Sequence, residues 1–116
     1  MPARGEVYWP KTALPPRSEK THRVVILSSN TLIANVNHGS LLVAIIRTAT
    51  SSVHRVFGHS VTIPNGTTPF LVAESIVETH QIFSLHRSEF DARGLKGRLA
   101  PDIMDQVMDG ARKLLA

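Results

Sequence analysis

Arg23 ends a polar, charged segment, Ser18-Glu19-Lys20-Thr21-His22-Arg23, and leads into four consecutive apolar residues, Val24 to Leu27. A β-branched run this short reads as a strand buried on both faces. A guanidinium at the mouth of such a strand has a rigid footing while its head stays in a cleft, which suits a group that must meet a phosphate. A solvated strand-end charge is the plain alternative. Two neighbours bring proton-handling groups. Glu19 could accept a proton or pair with Arg23, and the imidazole of His22 titrates in the range that suits proton transfer. An ordinary loop carboxylate and a partly buried, hydrogen-bonded histidine are the plain readings of these two. Neighbours on an extended strand point to opposite faces, so His22 and Arg23 serve one site only if the strand twists where it begins. A second apolar run, Ser40 to Ile46, ends in Arg47 and Thr48, with Thr50, Ser51 and Ser52 just beyond. A cation and several hydroxyls therefore gather where this strand stops.

Other chemistries lack their residues. The chain has no cysteine, which removes disulfides, thiolate nucleophiles and Cys-based zinc sites. Its six histidines show no HxH or HxxxH pair, so no metal and no cofactor is expected. There is no G-x-S-x-G elbow for a serine hydrolase, and neither glycine-rich phosphate-loop pattern occurs. A net charge of +4 with histidines neutral is compatible with a polyanionic partner. The positive residues are scattered, which suits a cleft with a few placed cations better than a DNA-coating surface. No run approaches the roughly 20 apolar residues of a membrane span. Pro2, Pro10, Pro15 and Pro16 interrupt the N-terminal part, which lacks the apolar stretch of a signal peptide, so a cytoplasmic location is expected.

The elements that must hold these groups follow from pattern. All 116 residues are expected to form one domain. Residues 5–9 read as a first strand that Pro10 closes, with Trp9 expected in the core rather than as a stacking surface. Residues 11–21, with Pro15-Pro16, form a long irregular loop. Residues 30–39 read as a polar connection ending in the turn Asn37-His38-Gly39. Residues 49–58 form a second loop. Residues 59–63 alternate as a half-exposed strand. Residues 70–73, 76–77, 81–85 and 95–99 supply further short strands. Pro101 begins a helix expected to run to Leu115, with Ile103, Met104, Val107, Met108 and Ala111 on one apolar stripe. The sum is mainly β with a C-terminal helix, arranged as a small curled barrel.

The order of these parts resembles the MazF/PemK-type toxins, the endoribonuclease half of bacterial toxin–antitoxin pairs. Gly5-Glu6-Val7-Tyr8-Trp9 matches their opening strand. Ser18-Glu19 leading to His22-Arg23 and Val24–Leu27 matches their Ser-Glu…Arg-Pro segment, with Val24 in place of the proline. Ile45-Ile46-Arg47-Thr48-Ala49-Thr50 matches the strand that ends in threonine, and both Thr48 and Thr50 are candidates for that residue. Gly97-Arg98-Leu99-Ala100-Pro101-Asp102-Ile103-Met104 matches the closing stretch. Glu74-Ser75-Ile76-Val77 stands where the family carries an amide at the second position and a cation at the fourth.

The resemblance implies an SH3-like barrel, usually a homodimer, that cuts single-stranded RNA without a metal. It also implies a cognate antitoxin with an acidic or amphipathic tail in the same groove. Arg23 would stabilise charge on the phosphoryl oxygens and Thr48 would assist, while Glu19, His22, Arg47, Thr50 and Ser51 would contact substrate. Two rivals share the fold class: a gyrase-poisoning toxin that needs no Arg23 chemistry, and a barrel that binds nucleic acid or peptide without cutting.

Overall fold

Runs of Val and Ile fix where the strands fall. β1 (Glu6–Tyr8), β2 (Arg23–Ile26), β3 (Ser40–Thr48), β4 (Val61–Ile63), β5 (Ser75–His86) and β6 (Leu95–Arg98) join in one antiparallel sheet, in the order β4-β5-β3-β2-β1-β6. The computed structural model describes residues 2–11, 22–48, 61–64 and 75–113, and for Thr48 and His80 the backbone alone. The expected strand at residues 70–73 and most of both expected long loops lie outside these residues. Among them, the fold is the expected one: a curved, mainly β sheet with a C-terminal helix.

β2 is central, with β1 on one side and β3 on the other, and Val24, Val25 and Ile26 have no exposed surface. Strand alternation divides their side chains between two cores. On one face Val7, Val25, Ala44, Ile46 and Val77 pack beneath the final helix. That helix, α2 (Pro101–Lys113), buries Ile103, Met104, Val107, Gly110 and Ala111. Each large apolar side chain removed from water in this way contributes about 1.5–3 kcal/mol. Asp102 in its first turn and Arg112 and Lys113 in its last oppose the helix dipole at both ends. Leu114 and Leu115 fall outside the described residues. On the other face Val24, Ile26, Val43 and Ile45 pack with Tyr8, Ile33, Leu41 and Phe90.

Gly5 holds the entrance to β1. Its φ of 88° is open to glycine at little cost. There its N–H donates to Ile26 O at 2.9 Å, and its carbonyl accepts from Leu99 N at 3.0 Å.

Three expectations need correction. Residues 30–39 are not simply a polar connection, because they begin with a short helix, α1 (Asn30–Ala34). Ser29 caps it, its Oγ accepting from Leu32 N at 3.1 Å. Five residues are too few to show a helical period. The strands read separately at residues 76–77 and 81–85 are one strand, β5. The register explains the misreading. β5 takes five steps from Glu78 to Phe83 where β3 takes two from Val43 to Ile45. The odd excess reverses which parity faces which core, so Val77 packs on the α2 face and Phe83 on the opposite one. Third, Trp9 is not in the core: it is 40 % exposed.

Candidate functional site

Arg23 is the first residue of β2, and its register partner on β3 is Ile46. The flanking strand β1 pairs Tyr8 with Val24, which brings the next residue, Trp9, alongside Arg23. The guanidinium carbon lies 6.0 Å from the Trp9 ring centroid, within range of a cation–π contact. Arg23 is half-buried, and burial lowers its pKa from the ordinary arginine value of 12.5. An arginine starts so high that the group remains a cation at neutral pH. Among the described residues no carboxylate lies within ion-pair distance of it. The result is a cation that has lost part of its hydration, stands on a rigid central strand, and has an aromatic face beside it. An anion reaching this position restores what burial removed.

Thr48 ends β3 and pairs with Ser75 of β5. It stands two positions beyond Ile46, the partner of Arg23, so positions 23 and 48 have the same parity on one sheet. Strand rise and spacing put their Cα atoms about 8 Å apart. His22, by contrast, has the parity of Val24, on the opposite face, and its ring Nε2 is buried. Arg47 is also of opposite parity. Its Nε sits 2.8 Å from Glu78 Oε1, with both side chains largely out of water. The expected open contact to substrate is thus already occupied by a carboxylate that ties β3 to β5. Glu19, Thr50 and Ser51 lie outside the described residues.

Ser75 and Val77 are both buried. Val77 pairs with Ile46 on one side and Val61 on the other, forming an apolar row where the resemblance would set a cation. Among the described residues no three His, Asp or Glu side chains are grouped to hold a metal. No helix among them is long and apolar enough to cross a membrane.

Among the described residues, two cavities lie away from Arg23. One of about 230 Å³ is lined by apolar groups of Leu27, Leu32, Leu42, Ile82 and Met108, and the other, about 250 Å³, lies between Gly5, Asn30, Arg98 and Met104. Size alone would favour them. The first also borders Arg4 and Ser28, but both are engaged in holding the fold: Arg4 Nε donates to Leu27 O at 2.9 Å, and Ser28 Oγ accepts from Leu42 N at 2.8 Å. The chemistry points to Arg23.

Sequence reasoning missed Trp9 and Glu78. Trp9 shares the parity of Val7 and Arg23, so its place beside the cation becomes readable only once the β1–β2 register is known. For Glu78 the sequence carries no signal, since its partnership with Arg47 depends on how β5 slips past β3.

The family model described as PemK-like, MazF-like toxin of type II toxin-antitoxin system matches residues 3–115. Solved structures agree in fold. An endoribonuclease in complex with its cognate antitoxin from a Mycobacterial species is 17 % identical, with a TM-score of 0.74, covering 99 % of this chain and 95 % of that one. MazE–MazF from Deinococcus radiodurans is 18 % identical, with a TM-score of 0.68 over 99 % of this chain and 95 % of its own. Mycobacterium tuberculosis toxin MazF-mt6 is 15 % identical, with a TM-score of 0.67 over 95 % of each chain. A comparison with curated proteins finds no match.

Proposed function

Because this chain belongs to the PemK-like, MazF-like toxin family of type II toxin–antitoxin systems, we propose that it is a sequence-specific endoribonuclease toxin acting on single-stranded RNA without a metal. In the proposed reaction the 2′-oxygen of one nucleotide attacks the adjacent phosphorus. A 2′-O–P bond forms and the P–O5′ bond breaks. The 2′-hydroxyl proton goes to a base, and a proton reaches the departing 5′-oxygen. The products are a 2′,3′-cyclic phosphate and a 5′-hydroxyl. Charge gathers on the non-bridging phosphoryl oxygens, and the paired donors of Arg23 are aimed there. Thr48 assists by hydrogen bonding to the phosphate, with Thr50 as the neighbouring alternative. Glu19 contacts substrate and is the carboxylate nearest Arg23 in sequence, while His22, whose ring Nε2 is buried on the opposite face, supports the start of β2 instead of touching RNA. Arg47 shapes the end of β3 through Glu78, and Ser51 belongs to the substrate channel. An antitoxin with an acidic or amphipathic tail would neutralise the toxin by covering Arg23. A homodimer is the expected assembly.

The observation that carries this reading is the half-buried Arg23, unpaired with carboxylate among the described residues and matched in parity to Thr48. A second reading, an RNA-binding barrel that does not cut, draws on the buried Val77 in the row where a cation would serve catalysis. One experiment separates them. A long single-stranded RNA is incubated in EDTA with wild-type protein, Arg23→Ala or Arg23→Lys. The enzyme reading expects discrete cuts with cyclic phosphate ends. It expects kcat about 10²–10³-fold lower in Arg23→Ala. It expects little rescue by lysine, which lacks the paired planar donors. RNA that is bound but intact supports the second reading, and equal cutting by Arg23→Ala removes Arg23 from the chemistry.

A further inference from the structure

Trp9 is the chain's one tryptophan. Its neighbours in type, Tyr8 and Phe90, are buried and meet edge to face at 5.4 Å. Trp9 instead leaves 40 % of its surface in water. Its backbone is held tightly. Its N–H donates to Gly94 O at 2.9 Å, and Pro10 follows it, buried. A Cβ at position 94 would come within 2.5 Å of Trp9 O, so the β6 side of the sheet presses directly on the Trp9 backbone. The indole is therefore an exposed aromatic surface on a fixed mount, 6.0 Å from the Arg23 guanidinium carbon. A large apolar ring left partly in water next to a half-buried cation is matched by a ligand with an anionic group and a flat π-face joined by a short link. A nucleotide in a single strand has this composition.

We propose that the Trp9 indole is the stacking platform for the RNA base next to the phosphate held on Arg23. Trp9 is then a substrate-positioning residue. It contributes affinity and alignment and little sequence preference, because every base has a π-face. The proposal rests on the nuclease reading above. A protein partner could also lay a side chain on this ring. The Arg23 cation and the absence of a carboxylate beside it among the described residues favour RNA.

The test uses the full chain and a single-stranded oligonucleotide made uncleavable by 2′-O-methylation at the cut site. Trp9 emission reports its own occupancy, since no other tryptophan contributes. Binding is expected to change that emission saturably. An oligonucleotide abasic at the nucleotide flanking the cut should leave the emission nearly unchanged. With cleavable RNA, Trp9→Ala is expected to raise KM roughly 5- to 150-fold while kcat stays within about threefold, and Trp9→Phe should recover most of the loss. On abasic RNA the Trp9→Ala penalty should vanish, an outcome a purely structural role would not produce. If Trp9→Ala does not fold, the wild-type emission experiment still decides. Equal emission changes with intact and abasic strands, or an alanine penalty that persists on abasic RNA, overturn the stacking role while cutting by the wild type leaves the nuclease reading in place. Wild-type protein that neither binds nor cuts RNA overturns both.

Discussion

A guanidinium is satisfied by planar, closely spaced acceptors, and this chain supplies them unevenly. Arg4 donates from Nε to Leu27 O at 2.9 Å, and Arg47 is paired with Glu78. Arg23 has no carboxylate beside it among the described residues and lies by the Trp9 ring. Residue type alone could nominate all three from the sequence, but only their surroundings separate the structural arginines from one ready for a ligand. Tyr8 carries a different kind of information. Its hydroxyl donates to Glu6 Oε1 at 3.2 Å. Burial first, then the charge and the hydrogen bond of Glu6, push its pKa up to about 12. Unfolded, it would titrate near 10. Below pH 10 the tyrosine is protonated in both states and its contribution is fully present. Between pH 10 and 12 the unfolded chain loses the proton first, so stability falls. With solvent screening at the phenol allowed for, the loss from this group is on the order of 1–2 kcal/mol. Denaturant titrations at pH 9 and pH 12 should show that fall in the wild type, with a shallower one in Tyr8→Phe. Equal slopes in both proteins would mean that neither burial nor Glu6 shifts the phenol.

Elements were legible where a period ran long enough to be counted. β3 carries a nine-residue strand and α2 five buried positions at helical spacing, and both appear where the pattern puts them. β5 and α1 were not legible, for opposite reasons. β5 changes phase at its bulge, so a single strand looks like two. α1 is too short for a period, and isolated helices of its length are unstable in water. Its stability comes from a distant residue. Arg87 Nη2 donates to Ile33 O at 2.6 Å and Asn35 O at 2.8 Å, and its Nε donates to His38 O. One side chain thus meets the carbonyls that the end of α1 leaves open. Arg87→Ala should lower unfolding free energy by about 2–4 kcal/mol, since bonds from a charged donor are each worth more than neutral ones. Thermal melts should fall by roughly 10 °C. Arg87→Lys should recover little, because one ammonium cannot span carbonyls fixed in a fan. A melt unchanged by Arg87→Ala would show that the Ser29 cap and the burial of Ile33 suffice to hold α1.

At the scale of the molecule, the sheet keeps one apolar core on each face, and Arg23 stands where the central strand emerges beside them. The positive charge is spread along the chain, so long-range attraction for RNA and the local grip on one phosphate are separate effects. Salt dependence separates them. The logarithm of affinity for single strands falls with the logarithm of salt by about 0.7 for each phosphate neutralised. Removing a guanidinium that holds a phosphate should therefore weaken binding and flatten the slope by about 0.7. Removing a stacking ring should weaken binding equally at every salt concentration and leave the slope alone, because no counterion is released when an indole meets a base. Dissociation constants for an uncleavable single strand, measured across a salt series for wild type, Arg23→Ala and Trp9→Ala, should give one flattened line and two parallel ones. If Arg23→Ala runs parallel to the wild type, its cation is not on the RNA backbone, and the attraction comes from the scattered charges instead.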